Sequence, residues 1–258
     1  MRAGPEVRRR CAALMNASRA RAVDHSRVPF PRARVTASLR ALGQSSRART
    51  RTAAMTLIDC LDRFVAAGQV PLAAALGDTD APQVWHQYGT VGDMPADGRA
   101  GALHFYYHAH RTPGASSAEH GHFHLFAPLG ATGGDAPRYT HLLAIGVDAR
   151  GMPLRLFTTN RWVTDETWLP AERVIALIEA VAAAPAAGSD PLEAWLRAQL
   201  GVFAPQITAL LRHRDRRVAA RLQGGRRPGL LEDRRMHVLS HCRISVERQL
   251  VALDHVSH

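Results

Sequence analysis

The chain has 258 residues, 46% of them hydrophobic, an ordinary globular composition that allows one large domain or two small ones. No uninterrupted apolar run approaches the ~18 residues of a membrane span, and Cys11, Cys60 and Cys242 are too few and too scattered for a disulfide framework, which suits a reducing, cytoplasmic setting. The formal net charge of +11 would suggest nucleic acid, but residues 1–54 hold 13 arginines against Glu6 and Asp24, so residues 55–258 are neutral and no specific nucleic-acid partner is expected of them.

Residues 1–54 are rich in Arg, Ala, Ser and Pro and show little apolar periodicity. They read as a disordered, dispensable leader, either a transit peptide or a translated region upstream of a start at Met55. Thr56 and Asp59 then resemble a helix-capping pair ahead of Leu57, Ile58, Leu61, Phe64 and Val65, with Gly68 as the stop. A short helix over 71–76, a strand around 84–88 and a loop over 89–101 follow. Beyond the histidine-rich stretch, Tyr139 to Val147 and Met152 to Thr159 read as strands. His141 would share a face with Tyr139, Leu143 and Ile145, apolar company that marks it as a structural residue.

Helical spacing then runs from Leu169-Pro170 through Val181. Asp190, Pro191 and Glu193 open the next helix. A third spans about Pro205 to Leu222, its arginines at 212–221 forming a solvated face, and two short helices near 230–240 and 246–254 close the chain. The fold class expected is α+β: residues 55–258 as one domain, with an antiparallel sheet of about four or five strands covered by helices on one face.

The segment HFYYHAHRTPGASSAEHGHFHLF, His104 to Phe126, holds six of the 14 histidines. His104, His108 and His110 share parity, as do His120, His122 and His124, so each set points to one side of its strand. The loop-like RTPGASSAEHG between them makes a hairpin. An even-sum register, such as His108 opposite His122, gathers the imidazoles on the open face and sends Phe105, Tyr107, Phe123 and Leu125 into the core. A slip by one residue would expose aromatics or bury imidazoles.

Neutral imidazoles on adjacent strands suit late first-row divalent metals, zinc or iron foremost. The expected ligands are His108, His110, His122 and His124. Glu119 is a candidate ligand, orienting group or base, and His120 a candidate catalytic residue. Arg111 suits a small anionic substrate. Asn160 and Arg161 are weaker candidates for such a contact. The resulting reading is a metal-dependent enzyme, hydrolytic or oxygen-using. The alternative without turnover is a metal- or small-ligand-binding protein.

The motifs YYHAHR at 106–111, EHGHFHLF at 119–126 and NRWVTDETW at 160–168 resemble an uncharacterised bacterial family, a domain of unknown function, over roughly Met55 to the C-terminal helices. That resemblance implies a compact cytoplasmic domain and carries no activity with it. HGHFHLF is also similar to the alternating histidines of histidine-triad nucleotide hydrolases. That likeness would make His122 a nucleophile toward phosphorus, with His120 and His124 positioning phosphate. Gly121 departs from the usual apolar residue there, and a loop stands where that family has a long helix.

Overall fold

Apolar alternation on the histidine strands builds the sheet. The computed structural model of the protein describes residues 24–77, 79, 83, 86–89, 99–109, 118–130, 138–186, 191–223 and 229–256. The sheet has six strands in sequential order, every neighbouring pair antiparallel. They are β1 (Tyr88–Gly89), β2 (His104–His108), β3 (Gly121–Gly130), β4 (Arg138–Val147), β5 (Pro153–Thr159) and β6 (Val238–Arg243). Phe105, Tyr107, Phe123, Leu125, Leu143, Ile145, Leu156 and Cys242 are all buried in the main core. Burying such a side chain contributes about 1.5–3 kcal/mol, which fixes the register against a one-residue slip.

Eight helices surround the sheet among the described residues: α1 (Arg32–Arg40), α2 (Gln44–Ala66), α3 (Pro71–Leu76), α4 (Arg161–Thr164), α5 (Ala171–Ala183), α6 (Pro191–Val202), α7 (Ala204–Gln223) and α8 (Val246–His255). Trp195 of α6 meets the Phe123 ring edge-on, at 6.0 Å between centroids. Ser240 of β6 donates to the Leu210 carbonyl of α7 at 3.0 Å. None of these helices is long and apolar enough to cross a membrane.

The α+β class and the helices at 71–76, 171–183, 191–202 and 204–223 agree with expectation. Several other expectations are corrected. The sheet has six strands because VLSHCR, whose first residues fall at the end of the helix expected near 230–240, pairs with β5, and only a single 3-10 turn occupies Leu230–Glu232. Ladder partners along β5 outweigh a weak helical pattern in so short a segment. Val84 and Trp85, expected in the first strand, lie outside the described residues.

The leader is the largest correction. Residues 1–23 lie outside the described residues, but the segment from Asp24 onward is structured. Val28 N–H bonds His241 O at 2.8 Å, and His241 N–H bonds Ser26 O at 2.8 Å. Val35 and Leu39 of α1 join the core, as do Ala54 and Leu57 of α2. The helix thus starts at Gln44, and Thr56 sits inside it, its hydroxyl donating to Thr52 O at 3.1 Å rather than capping. The arginines hid this amphipathic helix because they fill its exposed face. Its end falls where expected: Gly68 has φ +65°, and its N–H and that of Gln69 bond back to Val65 O and Phe64 O.

α2 and α6 touch at small residues. A Cβ on Gly201 would stand 2.5 Å from the Ala53 Cβ, closer than two carbons can approach. Gly201→Val is therefore expected to force the helices apart and cost about 1–3 kcal/mol. Urea unfolding measures it, and an unchanged midpoint would mean that α2 does not rest on α6.

Candidate metal centre

His108 stands opposite His122, and Tyr106 opposite His124, the even-sum register expected. Directly paired residues share a face, so His108, His122 and His124 converge. One ring nitrogen from each lies within 4.8 Å of the others. Ring centroids are 4.7 Å apart for His108 and His122, 5.1 Å for His108 and His124, and 4.8 Å for His122 and His124. Bonds of ~2.0–2.1 Å place the nitrogens of a shared ion about 3–4 Å apart, so a side-chain shift of the order of an ångström closes this set.

The histidine face is not open, as expected from sequence, but covered: His122, His124 and His141 are each only 2% exposed. Phe157 of β5 lies edge-on to His122 at 5.2 Å. Tyr106 packs beside His108 and His124, with centroids at 5.3 and 5.2 Å. Burial, helped by nearby Tyr139, pushes the Tyr106 hydroxyl up to about 12, so it stays a neutral phenol.

His141 belongs to this face after all. The ladder runs Leu125 to Leu143 and then Phe126 to His141, so Leu142 has no counterpart in β3. This irregularity reverses the parity that would have placed His141 in the apolar core. His141 Nε2 lies 3.0 Å from His124 Nδ1, and His141 Nδ1 lies 3.2 Å from Thr159 Oγ1. Burial, reinforced by Arg214, holds the His141 imidazole down to about 3, so it is neutral at physiological pH.

Glu166, from the NRWVTDETW motif, secures this irregularity. Its Oε2 accepts from the His141 backbone N–H at 2.6 Å and from the Thr140 hydroxyl at 3.0 Å. No sequence signal singled it out, because its partners come from a distant strand. Burial raises its carboxyl from 4.5 to about 7, against these donors and Arg214, which pull it down. The folded state therefore favours the protonated form. Its contribution to stability is complete below pH 4.5 and is lost as pH rises through about 7, by up to roughly 3 kcal/mol. Relative to Glu166→Gln, the wild type should be less stable at pH 8 than at pH 5, read by urea unfolding. A gap independent of pH would contradict this.

The other candidates separate from the cluster. His120 precedes the first paired residue of β3, and its imidazole stacks on Tyr107 instead, with Nδ1 2.6 Å from the Tyr107 hydroxyl. The three alternating histidines of 120–124 therefore do not form one group. Gly121 accommodates this: a Cβ there would overlap the Tyr107 hydroxyl. Glu119 is held by Arg155, whose Nε and Nη2 donate to its two oxygens at 2.7 and 3.0 Å. That carboxylate lies over Gly146, the residue opposite His122, where any side chain would displace it. Glu119 and Arg155 form a buried ion pair.

His110 and Arg111 lie outside the described residues. Asn160 caps α4 and donates to Leu230 O at 3.0 Å, and Arg161 pairs with Glu232 at 2.5 Å.

No curated protein and no solved structure matches the chain. A family model does, over residues 51–244, a range that begins inside α2 and takes in all six strands. The chain thus belongs to the family described as a domain of unknown function, DUF6969.

Proposed function

We propose that His108, His122 and His124 hold a divalent metal ion, zinc or iron, and that the protein is a metal-dependent enzyme of hydrolytic or oxygen-using type. One observation carries the reading: three imidazoles from two adjacent strands present nitrogens within 4.8 Å of one another. Three protein ligands leave a coordination position open, the arrangement of catalytic rather than structural sites. A bound metal would supply Lewis acidity and a water of lowered pKa.

The residues around the three ligands support the assignment. A ligating histidine commonly bonds a second group through its other ring nitrogen, which fixes its tautomer. Here a proton on His124 Nδ1 points at His141 Nε2, and His141 Nδ1–H reaches Thr159 Oγ1. In that tautomer His124 offers Nε2 to the metal. Neutral His141 can play this part because burial opposes its protonation. Tyr106 walls the site as a neutral phenol. The substrate proposed is a small molecule, and an anionic one suits the Arg111 that follows His110 in the sequence.

Elemental analysis of protein purified without a polyhistidine tag tests the metal. The expected result is one zinc or iron per chain, or, after chelation, uptake of one cobalt(II) with the visible absorption of a nitrogen-ligated ion. A protein that neither carries metal nor takes up cobalt or zinc overturns the reading. Stoichiometric metal with no turnover of ester, amide or dioxygen-dependent substrates would instead favour a binding protein.

A further inference from the structure

We propose that the pocket between the C-terminal part of α7 and the start of β6 binds the dianionic phosphate group of a small phosphate monoester, with Arg217 and Arg221 as its cationic ligands. The pocket has a volume of about 440 Å³, and Arg217, Arg221, Asp233, Arg235 and His237 line it.

The charge balance points to an anion. Asp233 is the one acid in the lining, and both its oxygens accept from Arg235, at 3.0 and 3.2 Å. That pair cancels itself. Arg217 and Arg221 have no carboxylate within ion-pair distance among the described residues. Arg217 Nη1 donates instead to the backbone carbonyls of Val238 and Leu239, at 3.1 and 2.6 Å. Its Nε is buried and has no acceptor among the described residues. Among the described residues Arg221 Nη1 meets only the Met236 thioether, at 2.9 Å, a weak acceptor. Burial and the neighbouring Arg221 charge hold the Arg217 guanidinium below its ordinary value, against a smaller opposing pull from Asp24. Like charges set side by side without an ion-pair partner are costly, and an anion between them would relieve the cost.

This local pattern differs from the rest of the helix. Arg212 is neutralised by Glu172 at 2.7 Å, and Arg214 by Asp215 at 2.8 Å. Of the three other arginines of the helix, Arg216 does not line the pocket, and Arg217 and Arg221 do. Their summed charge matches the −1.5 to −2 of a phosphate monoester near neutral pH better than the single charge of a carboxylate, and guanidinium forks fit phosphate oxygens. The volume exceeds that of a phosphate group, leaving room for an organic moiety. His237, also in the lining, is backed by the Trp162 ring at 4.7 Å between centroids.

The test is calorimetric titration of the chelator-treated full chain with phenyl phosphate and, separately, benzoate. Removing metal keeps the histidine cluster from binding phosphate. Phenyl phosphate should bind, and more tightly as the pH rises past its second pKa near 6. Benzoate should be weaker by at least roughly tenfold. Arg221→Gln, a change at the exposed end of α7, should weaken phenyl phosphate by a similar factor, as should Arg217→Gln, while Arg216→Gln should not. Absence of binding at millimolar phenyl phosphate overturns the proposal. So does equal binding of benzoate, unaltered binding by Arg221→Gln, or phosphate binding that disappears with the metal.

Discussion

Alanine at His122 or His124 should abolish stoichiometric metal retention, the largest effect expected of any single substitution in this chain. Structural zinc sites yield about 10–16 kcal/mol over four ligands, so one ligand accounts for ~3–4 kcal/mol, or roughly 10²–10³ in affinity. His108→Ala belongs to the same class, since its nitrogen is one of the three within 4.8 Å. His141→Ala should cost less, about 10–100-fold, because it would act on a metal only through His124. His120→Ala is the internal control: its imidazole bonds Tyr107 on the core side, so metal affinity should hold while stability falls. Competition titration against a coloured chelator, with the melting temperature of each metal-free variant alongside, separates the two effects. If His120→Ala weakens metal as much as His122→Ala, the cluster is not the site.

The hairpin was legible because two independent patterns agreed. Aromatic residues at odd positions required the core face, and histidines at even positions took the other, so only one register satisfied both strands. His141 escaped the same logic because strict alternation fails across an irregularity, and nothing in THLLAIG marks where the extra residue falls. Glu166 escaped because its partners are Thr140 and His141, about 25 residues away. His120 misled for the reverse reason: parity was extended one residue beyond the end of the strand. Helices α5 to α7 were legible from apolar spacing and from Pro191 at a helix start. Strand β6 was not, since a six-residue segment carries too little period to tell strand from helix. The arginine count obscured the N-terminal helices, because it describes their exposed sides and not the few residues they bury.

A chain that begins at Met55 should not fold stably. The opposite follows from composition, which makes residues 1–54 a dispensable leader. Truncation would remove Val28, Val35 and Leu39, all of them buried in the main core. At about 1.5–3 kcal/mol for each buried aliphatic side chain, that is roughly 5–9 kcal/mol, comparable with the whole stability of a typical domain. It would also strip α2 back by eleven residues, counted from Gln44 to Ala54, and take away Ala53, the residue on which Gly201 of α6 rests. The edge of β6 would lose its pairing with Ser26 and Val28, and His241 would lose the Asp24 carboxylate 2.8 Å from its Nε2. Exposed strand edges and uncovered apolar faces promote association, so aggregation on expression is the expected phenotype. A chain starting at Asp24 retains every one of these contacts and serves as the reference. Thermal unfolding of the two proteins decides the matter: a melting temperature for the 55–258 chain within a few degrees of the 24–258 chain would show that the helices before Met55 contribute nothing to the core.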